Sequence, residues 1–233
     1  MQYSNQHSEF CLENQLSIFR GLQIREKEAL DRSQTTLIVK KGDFIYREGD
    51  RSKGLICLAS GKYKIYRIGV GGREQIIKLA RPSDIAGYRT FFQSTAYTDS
   101  AAAIEDSAVC CFEKHTVLNI LKNNPDFSLK LMKLLCEELT FVRDRMISLT
   151  QKHVRGRLTE TLLMLSEIYG FEPDGKTINV CLSRADIAHY SNMTTSNAIR
   201  TLSNLESEGR IVLKRRKITL TDIHGLEQIS TTG

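Results

Sequence analysis

The spacing of hydrophobic residues changes along the chain, and its middle part is typical of β-structure. Between Leu37 and Phe112, short apolar runs alternate with turns that contain glycine. The runs cover residues 37–39, 44–46, 55–58, 63–66, 75–79, 101–104 and 108–112. Strands this closely spaced predict a small sandwich or barrel. Because no helix-length segment separates them, parallel βαβ units are not expected.

Helical spacing of apolar residues appears on both sides of this region. Residues 16–31 carry such a pattern, and residues 154–169 predict a further helix that ends at Gly170. Between them, a long helix is predicted from Asp126 to Lys152, directly after Pro125. Residues 177–182 alternate apolar and polar positions and predict a short strand.

The long helix carries an apolar seam. Its members recur at alternating steps of three and four residues: Met132, Leu135, Leu139, Val142, Met146 and Leu149. Helices pair along such an a/d seam in coiled coils, so the seam predicts a homodimer interface. The alternative is a helix buried within one subunit. A second apolar face, formed by Leu131, Leu134 and Phe141, is expected to pack on the β-rich region.

Residues 182–221 predict two short helices followed by a basic hairpin. Ser183 and Asp186 form a capping box for the first helix, and Asn192 suits the left-handed turn between the helices. Thr194 caps the second helix, which Gly209 ends. The apolar positions at helical spacing in this second helix are Ala198, Ile199, Leu202 and Leu205. Two short strands around a cationic tip complete a winged helix-turn-helix, whose second helix fits a DNA major groove. The alternative is a helical hairpin followed by a charged surface loop.

Composition and charge narrow the function classes. The chain has 233 residues and a net charge of +6, which fits a polyanionic partner without requiring one. From Lys152 onward there are 11 basic and 9 acidic residues, a balance of +2, so a DNA-binding footprint must be local. The cations available for it are Arg155, Arg157, Arg184, Arg200 and residues 214–217.

The sequence does not support several other classes of protein, namely secreted proteins, membrane proteins, metalloproteins and enzymes. The polar start has no signal-peptide pattern, and no apolar run approaches the ~20 residues of a membrane span, so a cytoplasmic protein without a membrane partner is expected. The six cysteines lack metal-site spacing, so no metal is expected. No P-loop, nucleophile elbow or zinc motif is present, and we expect no enzyme activity.

The order of these regions resembles the CRP/FNR family of bacterial transcription regulators. The similar stretches are KKGDFIYREGDRSKGLICLASGKYKIYR, PSDIAGYRTFF, NNPDFSLKLMKLLCEEL, QKHVRGRLTETLLML and LSRADIAHYSNMTTSNAIRTLSNLESEGRI. The resemblance implies an α+β fold with a β-roll (jelly-roll) sensor domain over 1–125, a dimerisation helix over 126–152 and a winged helix-turn-helix domain over 153–233. It further implies a homodimer that binds double-stranded DNA at a two-fold symmetric site, responds to a small signal and contacts RNA polymerase.

Family position assigns roles within the helix-turn-helix. Thr195, Ser196 and Arg200 match base-reading positions, and Arg200 is expected to bind guanine O6 and N7 or a phosphate. Asn197 reads adenine if it is rotated toward the groove. The expected phosphate contacts are Arg155, Arg184 and Thr194, together with the wing residues Lys214, Arg215, Arg216 and Lys217.

The matching effector pocket departs from the members that bind cyclic AMP. Those members carry Gly-Glu, then Arg-Ser, and a Thr-Ser pair on the long helix. The corresponding positions here are Gly87-Tyr88, Thr98-Asp99 and Val142-Arg143. Asp99 would repel a phosphate, so cyclic AMP is not expected. Arg89 either serves a different anion or forms a salt bridge.

Other signals remain open. An iron-sulfur cluster is not expected, because only Cys11 precedes Cys57. Haem is possible, with His7, His115, Cys57 or Met146 as axial ligands, and so is redox sensing by Cys57 or Cys136. A pocket filled by Tyr88, Phe91 and Met146 would instead make a permanently active regulator. The alternative function is a ligand-binding signalling module that does not bind DNA.

Overall fold

The computed structural model describes residues 5–232. The helices are α1 (Gln6–Glu13), α2 (Ile24–Ser33), α3 (Tyr88–Gln93), α4 (Lys114–Asn123), α5 (Pro125–Gln151), α6 (Val154–Tyr169), α7 (Arg184–Tyr190), α8 (Thr195–Ser207) and α9 (Ile223–Thr232). The strands are β1 (Gln34–Val39), β2 (Phe44–Tyr46), β3 (Gly54–Ser60), β4 (Tyr63–Ile68), β5 (Glu74–Ala80), β6 (Ile85–Ala86), β7 (Ser100–Ala103), β8 (Ser107–Glu113), β9 (Ile211–Lys214) and β10 (Lys217–Leu220).

The chain divides into two compact units. One contains the chain up to Ile68 together with Lys78–Leu139, and the other contains Gly69–Ile77 together with the chain from Thr140 onward. The first unit is built on two four-stranded sheets, with the strand orders β1-β8-β3-β6 and β2-β7-β4-β5, of which only residues 78–80 of β5 belong to this unit. The pairs β1–β8, β3–β8 and β4–β7 are antiparallel. The predicted β-sandwich is confirmed.

Strand β3 explains why the sequence of this sandwich is so apolar. Leu55 and Cys57 face a core that also contains residues of the flanking helices, whereas Ile56 and Leu58 face a second core shared by both sheets. Successive side chains of a strand point to opposite faces, so a strand buried on both sides reads as a continuous apolar run.

The second unit contains the last four helices and the β9–β10 hairpin. Helix α6 packs against α9, and α7 packs against α8. Its core is apolar and includes Leu158, Leu162, Leu165, Ile187, Ala188, Leu202, Leu205 and Leu226. The predicted winged helix-turn-helix architecture is therefore present.

The structure corrects the prediction for residues 16–31. Only 24–33 are helical, and the unpredicted α1 precedes them. The Ser17 hydroxyl donates to the Cys11 carbonyl at 2.5 Å and accepts from the Phe19 amide at 3.1 Å, so it stabilises a turn rather than a helix. Gly21 then takes φ +89°, which no right-handed helix accommodates.

The strand predicted over 177–182 is also wrong. The segment makes isolated bridges, Phe171 with Ile178 and Thr177 with Thr219. The Val180 amide bonds the Ile178 carbonyl at 2.8 Å, a tight local turn that prevents an extended strand. Ile178, Val180 and Leu182 are nevertheless buried, which accounts for the alternating apolar pattern.

Candidate nucleic-acid interface

Helix α7 begins at the predicted capping box. The Ser183 hydroxyl accepts from the Asp186 amide at 3.0 Å, and the Asp186 carboxylate accepts from the Ser183 amide at 3.3 Å. These bonds satisfy amide groups that the first helical turn leaves unpaired. Ala188 is fully buried where α7 packs on α8, as a small residue at a helix crossing should be.

The turn between α7 and α8 sets the start of the second helix. Asn192 has φ +52°, the predicted left-handed conformation, and the Met193 amide bonds the Ala188 carbonyl at 2.9 Å. The Thr194 hydroxyl then accepts from the Asn197 amide at 3.2 Å and caps α8. Thr195 and Ser196 are therefore the first two residues of α8, and their hydroxyls lie at the capped end of the helix.

Helix α8 has a buried face and a solvent face. Ala198, Leu202 and Leu205 are fully buried. Ile199 does not belong to this buried face, contrary to the sequence-based expectation, because 48% of its surface is exposed. Arg200 is exposed and donates from Nη2 to Asn197 Oδ1 at 2.8 Å. An arginine cannot accept a hydrogen bond, so this contact fixes which end of the Asn197 amide faces Arg200.

The wing is the predicted basic hairpin, and a first-helix residue is attached to its tip. Lys214 pairs with Lys217 across the hairpin, and Arg215 has φ +57° in the tight turn. The Arg184 guanidinium donates to the Arg215 carbonyl at 3.0 Å, and its Nη1 is buried without a hydrogen-bond partner among the described residues. Arg184 therefore positions the wing, besides its predicted role at a phosphate.

Two of the predicted phosphate contacts are engaged in ion pairs. Arg155 donates from Nη1 and Nη2 to the two carboxylate oxygens of Glu208, at 2.7 and 2.5 Å. This contact holds the pKa of Glu208 below its usual value. Lys217 binds Glu172 at 2.8 Å. Lys214, Arg215 and Arg216 have exposed side chains at the wing tip. The predicted cations thus differ in what they must release before they can bind DNA.

In the first unit, the residues predicted to line an effector pocket form a closed polar contact. Asp99 accepts from the Tyr46 hydroxyl at 3.1 Å and from Arg89 Nη2 at 3.1 Å. Burial and the Asp99 charge raise the pKa of Tyr46, so its hydroxyl stays protonated and donates. Arg89, which the sequence left either as a site for another anion or as a salt-bridge partner, forms a salt bridge with Asp99.

Aromatic rings fill the space beside this contact. Tyr97 stacks on Tyr46 with ring centroids 3.9 Å apart. Gly87 has φ +77° and lies against Tyr97, because an added Cβ would come within 3.1 Å of the Tyr97 hydroxyl. Tyr88 is hydrogen-bonded to Glu138 of α5. Thr98 is half-buried, whereas Val142 and Arg143 lie on the part of α5 that belongs to the second unit and are exposed.

The cysteines and histidines include the residues named above as candidates for haem binding or redox sensing. The thiols of Cys11 and Cys110 are hydrogen-bonded to each other; this contact, together with burial, raises the pKa of Cys110 and keeps it protonated. Cys57 is fully buried beside them, whereas Cys136 and His115 are exposed and His7 is half-buried. Over residues 5–232, no group of three or more His, Cys, Asp or Glu side chains is arranged to hold a metal ion.

The predicted dimer seam faces solvent for most of its length. Met132, Leu139, Val142 and Met146 each expose half or more of their surface. Leu135 and Leu149 are half-buried. Leu131, on the other face of α5, is buried in the core of the first unit. In the described part of the chain, no helix combines the length and apolar character needed to cross a bilayer.

Two regions of the chain match models of known domains. Residues 36–124 match the cyclic nucleotide-binding domain model, and residues 156–229 match the Crp-like helix-turn-helix domain model. The chain is 27% identical over 228 residues to the fumarate and nitrate reduction regulatory protein of Escherichia coli K12, covering 96% of this chain and 90% of that protein.

Solved structures share the fold. FixK2 from Bradyrhizobium japonicum has a TM-score of 0.76 at 23% identity, covering 84% of this chain and 96% of FixK2. A CRP/FNR-family transcriptional regulator from Thermus thermophilus has a TM-score of 0.70 at 22% identity, covering 84% of this chain and 98% of that protein.

Proposed function

The chain belongs to the CRP/FNR family of bacterial transcription regulators, and from this premise we propose that it binds a two-fold symmetric DNA site as a homodimer. Helix α8 of each subunit enters a major groove. Thr195, Ser196 and Arg200 face the base edges there, with Asn197 orienting Arg200. The two half-sites lie one helical turn apart, roughly 34 Å, because each subunit of a symmetric dimer reads its own groove.

The observation that carries this proposal is the capped, polar start of α8 beside a cationic wing. The Thr194 cap begins an ordered helix end at which Ser196 and Arg200 are exposed and Thr195 is half-buried, so the hydrogen-bond donors there have a defined direction. The exposed wing-tip side chains of Lys214, Arg215 and Arg216 supply sequence-independent attraction to phosphates. A solvated surface loop would need neither feature.

We assign the remaining family roles as follows. The exposed seam of α5 pairs with the same seam of a second copy. RNA polymerase is the further protein partner, and the cytoplasm is where the DNA substrate is found. Arg155, Arg184, Thr194 and the wing cations contact phosphates, for which Arg155 must exchange Glu208 for DNA and Lys217 must release Glu172.

The signal in this proposal is not a cyclic nucleotide, although the sensor matches the cyclic nucleotide-binding domain model. A cyclic phosphate needs a cation or converging amide donors. The described residues provide a carboxylate instead: Asp99 already neutralises Arg89 and binds the Tyr46 hydroxyl. The stacked rings of Tyr46 and Tyr97 occupy adjacent space. These residues do not fit the nucleotide.

Selection from a random pool of DNA duplexes tests the function. The purified protein, without added ligand and at about 0.15 M salt, is expected to enrich a symmetric motif with half-sites about 10 base pairs apart. The triple variant Thr195→Ala, Ser196→Ala, Arg200→Ala is expected to enrich none. Failure to enrich a motif in the presence of haem, oxidants and nucleotides as well would favour a signalling module that does not bind DNA.

A further inference from the structure

The solvent face of α8 contains one large apolar side chain that the assigned roles do not use. Ile199 exposes 48% of its surface, although its neighbours Ala198 and Leu202 are fully buried. It lies one helical turn after Thr195 and Ser196 and directly before Arg200, so it shares the face predicted to read bases. A single exposed isoleucine is common on protein surfaces, but this one lies among residues predicted to read bases, where a base edge can offer it an apolar contact.

We propose that Ile199 contacts the methyl group of a thymine in each half-site. This inference rests on the proposed DNA-binding function and adds a specificity contact to it. On the major-groove edges, the C5-methyl of thymine is the apolar group of the four standard bases. A β-branched side chain is stiff at χ1 in a helix, so Ile199 can present its methyl groups to the groove with little loss of side-chain freedom.

The surroundings of Ile199 favour DNA over a protein surface as its partner. On one side of it lie the hydroxyls of Thr195 and Ser196, and on the other the guanidinium of Arg200, which is oriented by Asn197 at 2.8 Å. An apolar protein surface would leave these donors unpaired, whereas a base edge satisfies them and the methyl group together.

The position of the thymine follows from the helix. Ile199 and Arg200 are consecutive residues of α8, so their side chains can reach only nearby base pairs of the groove that this helix enters. The thymine should therefore lie next to the guanine bound by Arg200, or one step beyond it. The predicted base-reading residues Thr195, Ser196 and Arg200 include no carboxylate that could accept from a cytosine amino group.

Replacement of thymine by deoxyuridine, which removes only the methyl group, tests the contact. In the operator obtained by selection, each thymine is replaced in both half-sites and the dissociation constant is measured. The wild-type protein should lose about four-fold in affinity per half-site at one position, as expected for one buried methyl group. Ile199→Ala should bind the thymine operator more weakly by a similar factor and be indifferent to the replacement.

Two further variants separate a base contact from a general effect on folding. Ile199→Val keeps a branched side chain and should retain the preference for thymine. Ile223→Ala removes a comparably exposed isoleucine, 41%, from α9 and should behave as the wild type. The inference is overturned if no thymine is sensitive, or if Ile199→Ala discriminates thymine from deoxyuridine as the wild type does. If no operator is enriched at all, the proposed function fails first, and the inference fails with it.

Discussion

At the scale of single residues, the partner of each cation decides what it does. Arg200 is oriented by Asn197, three residues earlier on the same helix. Arg155 is held by Glu208, which lies 53 residues further along the chain. The sequence predicted Arg200 as a base-reading residue because the helix could be recognised, but it did not reveal the Arg155 pair, which depends on how distant elements pack.

Removing Arg200 should change specificity, and not only affinity. A bidentate contact to guanine contributes roughly 1–3 kcal/mol of discrimination, so Arg200→Ala should lose that much on the operator and accept other bases at one position. Competition with operators substituted at every position measures this. Arg216→Ala is the control, because a wing-tip phosphate contact should weaken all sequences alike and lower the salt slope by about one. Equal losses on operator and random DNA would exclude a base contact by Arg200.

Removing the carboxylate that holds Arg155 should strengthen DNA binding. Glu208→Gln leaves the guanidinium available to phosphate and removes a repelling charge. Because both side chains of the pair are more than a third exposed, the gain should be small, on the order of two- to five-fold at low salt. Filter binding or anisotropy on random duplexes measures it.

The control for this change is Glu227→Gln, which alters the net charge equally on α9. If both variants gain the same affinity, the effect is one of net charge, and Arg155 has no special role at phosphate.

At the scale of elements, locally determined features were predicted and features determined by distant contacts were missed. The caps of α7 and α8 involve residues three positions apart, Ser183 with Asp186 and Thr194 with Asn197, so they could be recognised in the sequence. The segment 177–182 looked like a strand because its alternate residues are buried, but its burial comes from packing and from the bond of the Ile178 amide to the Ile218 carbonyl at 3.0 Å. Ile199 falls at helical spacing on the wrong face, which periodicity alone did not distinguish.

The β6–α3–β7 region of the sensor should be indifferent to cyclic nucleotides. Cyclic AMP or cyclic GMP at millimolar concentration should leave the melting temperature unchanged. A nucleotide that did bind would raise it measurably, because a ligand at 100 times its dissociation constant adds about 2.7 kcal/mol of stability. Differential scanning fluorimetry measures this. A saturable rise in melting temperature with either nucleotide would refute the expectation that the sensor does not bind cyclic nucleotides.

Asp99→Ala should lower the free energy of unfolding by about 1–3 kcal/mol, since it leaves the buried Tyr46 hydroxyl without its acceptor.

At the scale of the whole molecule, the question is what covers α5. Its inner face is buried in the first unit through Phe127 and Leu131, whereas the seam leaves four large apolar side chains half or more exposed. The a/d spacing was readable in the sequence because it repeats along one helix. The identity of the covering surface was not, since a second copy and a neighbouring element produce the same pattern.

Breaking the seam should therefore separate subunit pairing from DNA contact. The double variant Leu139→Glu, Met146→Glu places charges at side chains that are 55% and 62% exposed, so each subunit should still fold while like charges face each other in a pair. Sedimentation equilibrium should then show monomers. Binding to the symmetric operator should fall by at least about a hundred-fold, because two linked half-sites gain 10²–10⁴ over one. Random DNA should be affected far less.

Ile147→Glu is the matched control for this experiment. Ile147 is 50% exposed and follows Met146 directly, but it lies about 100° further around α5 and outside the seam. Its variant should remain dimeric and retain operator affinity. If it dissociates as readily as the seam variant, the interface lies on another face of the helix. If the seam variant stays dimeric, the exposed apolar residues of α5 have a different partner, and the symmetric operator must be bound through another contact between subunits.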